Sequence, residues 1–131
     1  MFMIATKGRN ALKVMLDLAQ HNDGSYISLA DVAERVKESQ KYLEATVAAL
    51  SAAGLILSAR GKLGGYKLAK KPEEYTVAEI ITSAEGSLSP VACLDSGCEN
   101  AGSCLSLPLW KELDEVIVNF LNSKSLADLI K

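Results

Sequence analysis

The chain has three cysteines, and all of them fall within twelve residues as Cys93-x4-Cys98-x5-Cys104. A thiolate is both a soft metal ligand and a nucleophile in thiol–disulfide exchange. Three thiols this close in an intracellular chain argue for metal or redox chemistry over a structural disulfide. The spacing is wider than the Cys-x2-Cys pair of most zinc sites. A wider loop suits a larger object, and iron–sulfur clusters favour thiolate ligands. Zinc, a thiol switch and inert cysteines remain alternatives. Three thiolates leave a fourth ligand to find. Asp95 and Glu99 are near, His21 is the one histidine and lies far away in sequence, and a partner subunit or small ligand would also serve.

A second set of residues has the chemistry of base and phosphate recognition. Ser39, Gln40, Lys41, Tyr42 and Glu44 stand together at the start of a helical segment. Gln pairs with adenine, Lys with guanine, and Glu accepts from cytosine N4. Tyr42 and Ser39 suit phosphate oxygens. Farther on, Arg60 and Lys62 are interleaved with Gly61, Gly64 and Gly65 and followed by Tyr66. Cations on a bare, glycine-rich turn suit a narrow minor groove; an ordinary solvated hairpin turn has the same composition. Lys7 and Arg9 sit in a first helical turn, where the helix dipole disfavours cations by ~0.3–1 kcal/mol each. A nearby DNA phosphate would reverse that penalty. With Ser28, these are the candidate DNA-contacting residues.

The elements that must position both sets are legible. Thr6 to about Gln20 reads as a helix, with Leu12, Met15, Leu16 and Ala19 at helical spacing, and residues 21–25 end it as a turn. Ser28 opens a second helix carrying Leu29, Val32, Ala33 and Val36 inward, and a tight turn follows at Lys37-Glu38. Ser39 caps a third helix to about Ala53, with Leu43, Val47 and Leu50 inward and Gly54 as its left-handed stop. Residues 55–58 and 66–69 then form a β-hairpin around the basic turn. Thr76-x-x-Glu79 caps a short helix to about Ser83. Residues 84–105, with Gly86, Pro90, Gly97 and Gly102, form a loop of a length that is usually functional or disordered. A last long helix begins near Pro108 with an apolar stripe of Leu109, Trp110, Leu113, Val116, Ile117, Phe120 and Leu121, and Ser125-x-x-Asp128 caps a final turn.

Three helices with a short turn between the second and third, then a hairpin, is the order of a winged helix-turn-helix. The fold class expected is mainly α with a small β-hairpin, in which residues 1–75 form the DNA-binding domain and 76–131 the cysteine loop and dimerisation helices. The net charge of −2 conceals an asymmetry. Residues 1–75 hold 11 Lys and Arg against 8 Asp and Glu, whereas residues 76–131 hold 3 against 8. A mildly basic front half suits a polyanion. No run of about 18 apolar residues would span a membrane, and the order of the first residues is wrong for a secretion signal, so a cytoplasmic location is expected. No nucleotide-binding Gly-rich loop follows a strand and no Ser/His/Asp or Cys/His set is visible, so no enzyme is expected.

Taken in order, Ala5-Thr-Lys-Gly-Arg-Asn-Ala-Leu12, Lys41-Tyr-Leu-Glu44, Ala53-Gly-Leu55, Arg60-Gly-Lys-Leu-Gly-Gly-Tyr66, the three cysteines before Leu109-Trp110, and Ser125-Leu-Ala-Asp-Leu129 span the chain. That set resembles the IscR/NsrR/CymR family of bacterial winged-helix regulators. The resemblance implies a homodimer held by the long C-terminal helix, binding double-stranded DNA at a pseudo-palindromic operator, mostly as a repressor. It implies a 2Fe–2S or 4Fe–4S cluster on Cys93, Cys98 and Cys104 whose loss or modification changes DNA affinity. It further implies that Glu44 acts by rejecting unsuitable bases. Two family ligands are missing: Leu107 stands where some members place a histidine, and Arg9 where others place a carboxylate on the partner's first helix. The fourth ligand and the cluster type are thus unassigned. A cluster-free branch, responsive to thiols or to a protein partner, is the alternative.

Overall fold

Four hydroxyl side chains set where helices begin. The structure, a computed structural model, describes residues 6–86 and 105–130. Helix α1 runs Thr6–Gln20, α2 Leu29–Val36, α3 Gln40–Ala52, α4 Val77–Glu85, α5 Leu107–Asn122 and α6 Leu126–Leu129. Ser28, Ser39 and Thr76 each accept the backbone N–H three residues ahead, at 3.2, 3.0 and 3.1 Å. Ser125 and Asp128 form a full capping box on α6. Each cap satisfies a donor that the helix itself leaves free. Thr6 is already helical, and its hydroxyl lies 3.4 Å from the Arg9 guanidinium. Gly54, past the end of α3, has φ +76, the left-handed stop expected there.

The hairpin pairs β1 (Ile56–Ala59) with β2 (Gly65–Leu68), antiparallel, from Ile56 opposite Leu68 to Ala59 opposite Gly65. A third backbone joins it. Ile27 and Tyr66 exchange both N–H···O bonds at 2.8 Å, so the connection between α1 and α2 lies along β2. Gly65 makes this approach feasible: a Cβ there would lie 2.1 Å from the Ile27 carbonyl oxygen, and its φ of +145 disfavours other residues. The extended entry at Tyr26-Ile27 is thus the strand that braces the hairpin.

The main core gathers α1, α2, α3, the hairpin and α4 around Met15, Leu18, Leu43, Leu50 and Ile80, all at most 1 % exposed. The buried line of α1 is Ala11, Val14, Met15 and Leu18. Of the four apolar positions expected from the spacing, Met15 and Ala19 are buried, and Leu12 and Leu16 are partly buried against the core. Leu12 also packs on a second cluster of Val77, Ala78 and Ile81. The core continues past residue 75. Tyr75, Ile80 and Leu126 are fully buried in it, and α6 is tied back by Leu126 N–H donating to Tyr75 O at 3.1 Å and Val77 N–H to Lys124 O at 2.9 Å. The fold is mainly helical with one small hairpin, as the sequence led us to expect.

Candidate nucleic-acid interface

The turn between α2 and α3 is made by Lys37, at φ 61 and ψ 43, whose N–H donates to Ala33 O. A lysine in the left-handed region is uncommon, and it lets α3 start only three residues later. Leu43, Thr46, Val47 and Leu50 fix α3 inward. Its opening turns then expose Ser39, Gln40, Lys41, Tyr42 and Glu44. Tyr42 is 47 % exposed, although burying its ring would be favourable. The Ser39 Oγ accepts the Tyr42 N–H, which leaves its own proton free to donate. Ser28 is likewise engaged as the cap of α2, and is half-buried.

Lys7 joins this set in space. A cleft of about 580 Å³ is lined by Lys7 of α1, by Ser39, Lys41, Tyr42, Ala45, Thr46 and Ala49 of α3, and by Ala84 of α4. Arg9 is exposed on the same first turn of α1. The relative angle of α1 and α2 is held by Asp17, 5 % exposed, which receives Arg35 Nε at 2.8 Å and Nη2 at 2.9 Å. That bidentate bond holds the Arg35 guanidinium charged to higher pH than usual, against the opposing effect of desolvation. Before α2, Asp23 has its carboxyl held below the ordinary value by the Ser25 hydroxyl and then the Ser25 N–H. His21 Nδ1 lies 2.9 Å from Asp17 O, so the histidine is tied to the end of its own helix.

On the wing, Arg60 and Lys62 are exposed at the turn, while Tyr66 is half-buried against the core. Gly64 and Gly65 have packing reasons of their own, since a Cβ on Gly64 would lie 2.3 Å from Ala59 O. Sequence reasoning passed over Tyr75, which clamps the foot of the wing. Its hydroxyl donates to Leu55 O at 2.6 Å and accepts the N–H groups of Ala69 and Lys70, both at 2.9 Å. The signal was faint: a tyrosine shortly after Pro72, with no period to mark it as core.

Cys93, Cys98 and Cys104 lie outside the described residues. Among the described residues no group of three His, Cys, Asp or Glu side chains could hold a metal. The three thiols are a soft donor set that fits an iron–sulfur cluster. Leu107, which opens α5, offers no further ligand. On α5 the apolar stripe divides. Ile117, Val118 and Leu121 pack on Val77, Ala78 and Ile81, whereas Leu109, Leu113, Val116 and Phe120 are exposed. No described helix is long and apolar enough to cross a membrane.

Residues 4–131 match the family described as Rrf2, iron-dependent transcriptional regulator. The HTH-type transcriptional regulator IscR of Serratia proteamaculans (strain 568) is 39 % identical over 128 residues, covering 97 % of this chain and 78 % of that protein. The solved structure of T. potens IscR superposes with a TM-score of 0.79 at 36 % identity, covering 97 % of this chain and 85 % of the other. That of CymR (YrzC), the global cysteine regulator of B. subtilis, gives 0.75 at 38 % identity, covering 99 % and 97 %. This chain belongs to the Rrf2 family of transcriptional regulators.

Proposed function

We propose that the protein is a homodimeric DNA-binding regulator, acting chiefly as a repressor at a pseudo-palindromic operator, whose affinity is set by an iron–sulfur cluster on Cys93, Cys98 and Cys104. One observation carries the DNA-reading part: Lys7 and the Ser39–Tyr42 turn, from elements far apart in sequence, line one exposed cleft. In this reading Gln40, Lys41 and Glu44 meet base edges in the major groove. Lys7, Arg9, Ser28, Ser39 and Tyr42 meet the backbone. Arg60 and Lys62 on the wing approach the minor groove, with Gly64, Gly65 and Tyr66 forming the strand that holds them. The exposed Leu109, Leu113, Val116 and Phe120 support a second copy as the cover of α5.

The three thiolates would hold the cluster, and the cluster, when bound, supplies iron–thiolate bonds that oxidants or iron loss break. The chain's own part is transmission. The cysteine segment runs into α5 at Leu107, and α5 would set the separation of two reading heads. Half-sites demand a fixed spacing, so a small rotation at that helix changes operator affinity. By reciprocity, DNA must shift cluster affinity equally.

The test begins with protein purified without oxygen. A thiolate-to-iron absorption band lost in Cys93→Ala, with operator affinity that differs between loaded and stripped protein, is expected. Identical affinity in the two states sinks the coupling. A colourless protein after reconstitution moves sensing to the second reading, a thiol- or partner-responsive regulator without a cluster. The likeness to a solved protein described as a global cysteine regulator favours keeping that reading. Glu44→Ala is expected to broaden the range of sequences bound. A uniform loss at every sequence would count against the role given to Glu44.

A further inference from the structure

The wing ends in a side chain that the protein's own packing does not use. Gly64 N–H donates to Gly61 O at 3.1 Å, so Lys62 and Leu63 are the central residues of a tight turn. Gly61, at φ +101, and Gly64 flank them with bare backbone. Leu63 is 91 % exposed. Turn chemistry favours Asn, Asp, Ser or Gly at such positions and has no use for leucine. A lone exposed leucine on a broad face would need no explanation. Here it stands at the narrow tip of the hairpin, between the exposed cations Arg60 and Lys62 and the close-packed Gly64.

We propose that Leu63 is an apolar wedge that the wing seats in the DNA minor groove, with Arg60 and Lys62 beside the flanking phosphates. This rests on the DNA-binding reading above and adds what the wing recognises. A cationic tip alone favours the stiff, narrow groove of an A-tract, where negative potential is strongest. An aliphatic tip works by a different route. It leans on sugars and base edges and partly unstacks one step. The cost of unstacking is lowest at flexible pyrimidine–purine steps such as TA and CA. The wing therefore reads deformability, and the site it covers holds such a step in place of an A-tract.

The experiment uses full-length protein and a duplex enriched by it from a random-sequence pool. Affinity is measured across a salt series, and DNA bending by energy transfer between end labels. Duplexes differing only in the step under the wing are compared. Leu63→Ala should bind about tenfold more weakly, the factor expected for losing a buried aliphatic contact. Its salt slope should be unchanged, because no phosphate contact is lost. Its DNA should be less bent, and its preference for TA over an A-tract should vanish. The melting temperature of the free protein should not move, since Leu63 packs on nothing. A Leu63→Ala variant that keeps affinity, bend and step preference overturns the wedge while leaving DNA binding intact. So does a variant that loses affinity only through a shallower salt slope. If the wild-type protein enriches no duplex at all, the DNA-binding reading fails and the wedge falls with it.

Discussion

Helices α1 and α5 carry apolar residues at the same helical spacing, yet only α1 is buried along that line. Ala11, Val14, Met15 and Leu18 are at most 1 % exposed, enclosed by α2, α3, α4, β2 and α6. On α5 no residue is buried, and Val116 and Phe120 are 64 % and 58 % exposed. The difference teaches what periodicity does and does not specify. A 3.6-residue period fixes which face is apolar, and the rest of the molecule decides what covers that face. In α1 the cover is intramolecular. In α5 one flank rests on α4 through Ile117, Val118 and Leu121, and the other, with Leu109, Val116 and Phe120, faces outward uncovered by the protomer.

The strongest way to break this comparison is to charge the open flank. Val116→Asp combined with Phe120→Asp should halve the mass measured by light scattering and leave a folded monomer. Operator affinity should fall about a hundredfold or more, because two linked half-site contacts become one. Melting should lose any dependence on protein concentration. If the double variant unfolds instead, the protomer is stable only with that flank covered, and folding and association are one step. A variant that keeps the wild-type mass and operator affinity would show that nothing covers the flank.

The sequence carried most of this fold, because its signals are local. The hydroxyl caps at Ser28, Ser39, Thr76 and Ser125, the stop at Gly54 and the hairpin all follow from residues within a few positions of each other. What escaped depends on long-range meeting. The Asp17–Arg35 pair joins residues 18 apart, and the Ile27–Tyr66 bridge joins the α1–α2 connection to β2 across α2, α3 and β1. Along α1 the expected apolar positions Met15 and Ala19 are buried and Leu12 and Leu16 partly so, because what surrounds the helix decides how deep each position of an apolar face lies. At the candidate interface, the residue types of α3 were legible, while the arrival of Lys7 beside them was not.

A smaller effect sharpens the contrast at the foot of the wing. Tyr75→Phe keeps the ring and removes the hydroxyl that holds Leu55 O, Ala69 N–H and Lys70 N–H together. Stability should drop by about 2 kcal/mol, within the range for leaving buried groups unpaired. The loss would appear as a lower denaturant midpoint at constant slope. Because the clamp joins the chain entering β1 to the chain leaving β2, operator contacts through Arg60 and Lys62 should weaken more than those through Lys41. Equal weakening at both would mean that the hairpin does not depend on Tyr75 for its aim.

The smallest expected effect concerns a fault within the well-packed helix itself. Asn10 is 1 % exposed, and its Nδ2 is a buried donor without a hydrogen-bond partner among the described residues. Such a group costs free energy that a side chain of similar volume without polar atoms would not. Asn10→Leu should therefore stabilise the free protein by about 1 kcal/mol, read as a rise of a few degrees in melting temperature. Asn10 lies one helical turn from Lys7, which lines the cleft beside α3. Two measurements on this one variant thus separate two meanings of the orphan amide. A rise in stability with unchanged operator affinity makes it a packing fault that α1 tolerates because its other contacts are so complete. A rise in stability with weakened operator binding means that the amide finds its partner only in the bound state. A fall in stability would show that the amide is satisfied in solution, and that α1 is as well packed at Asn10 as it is at Leu18.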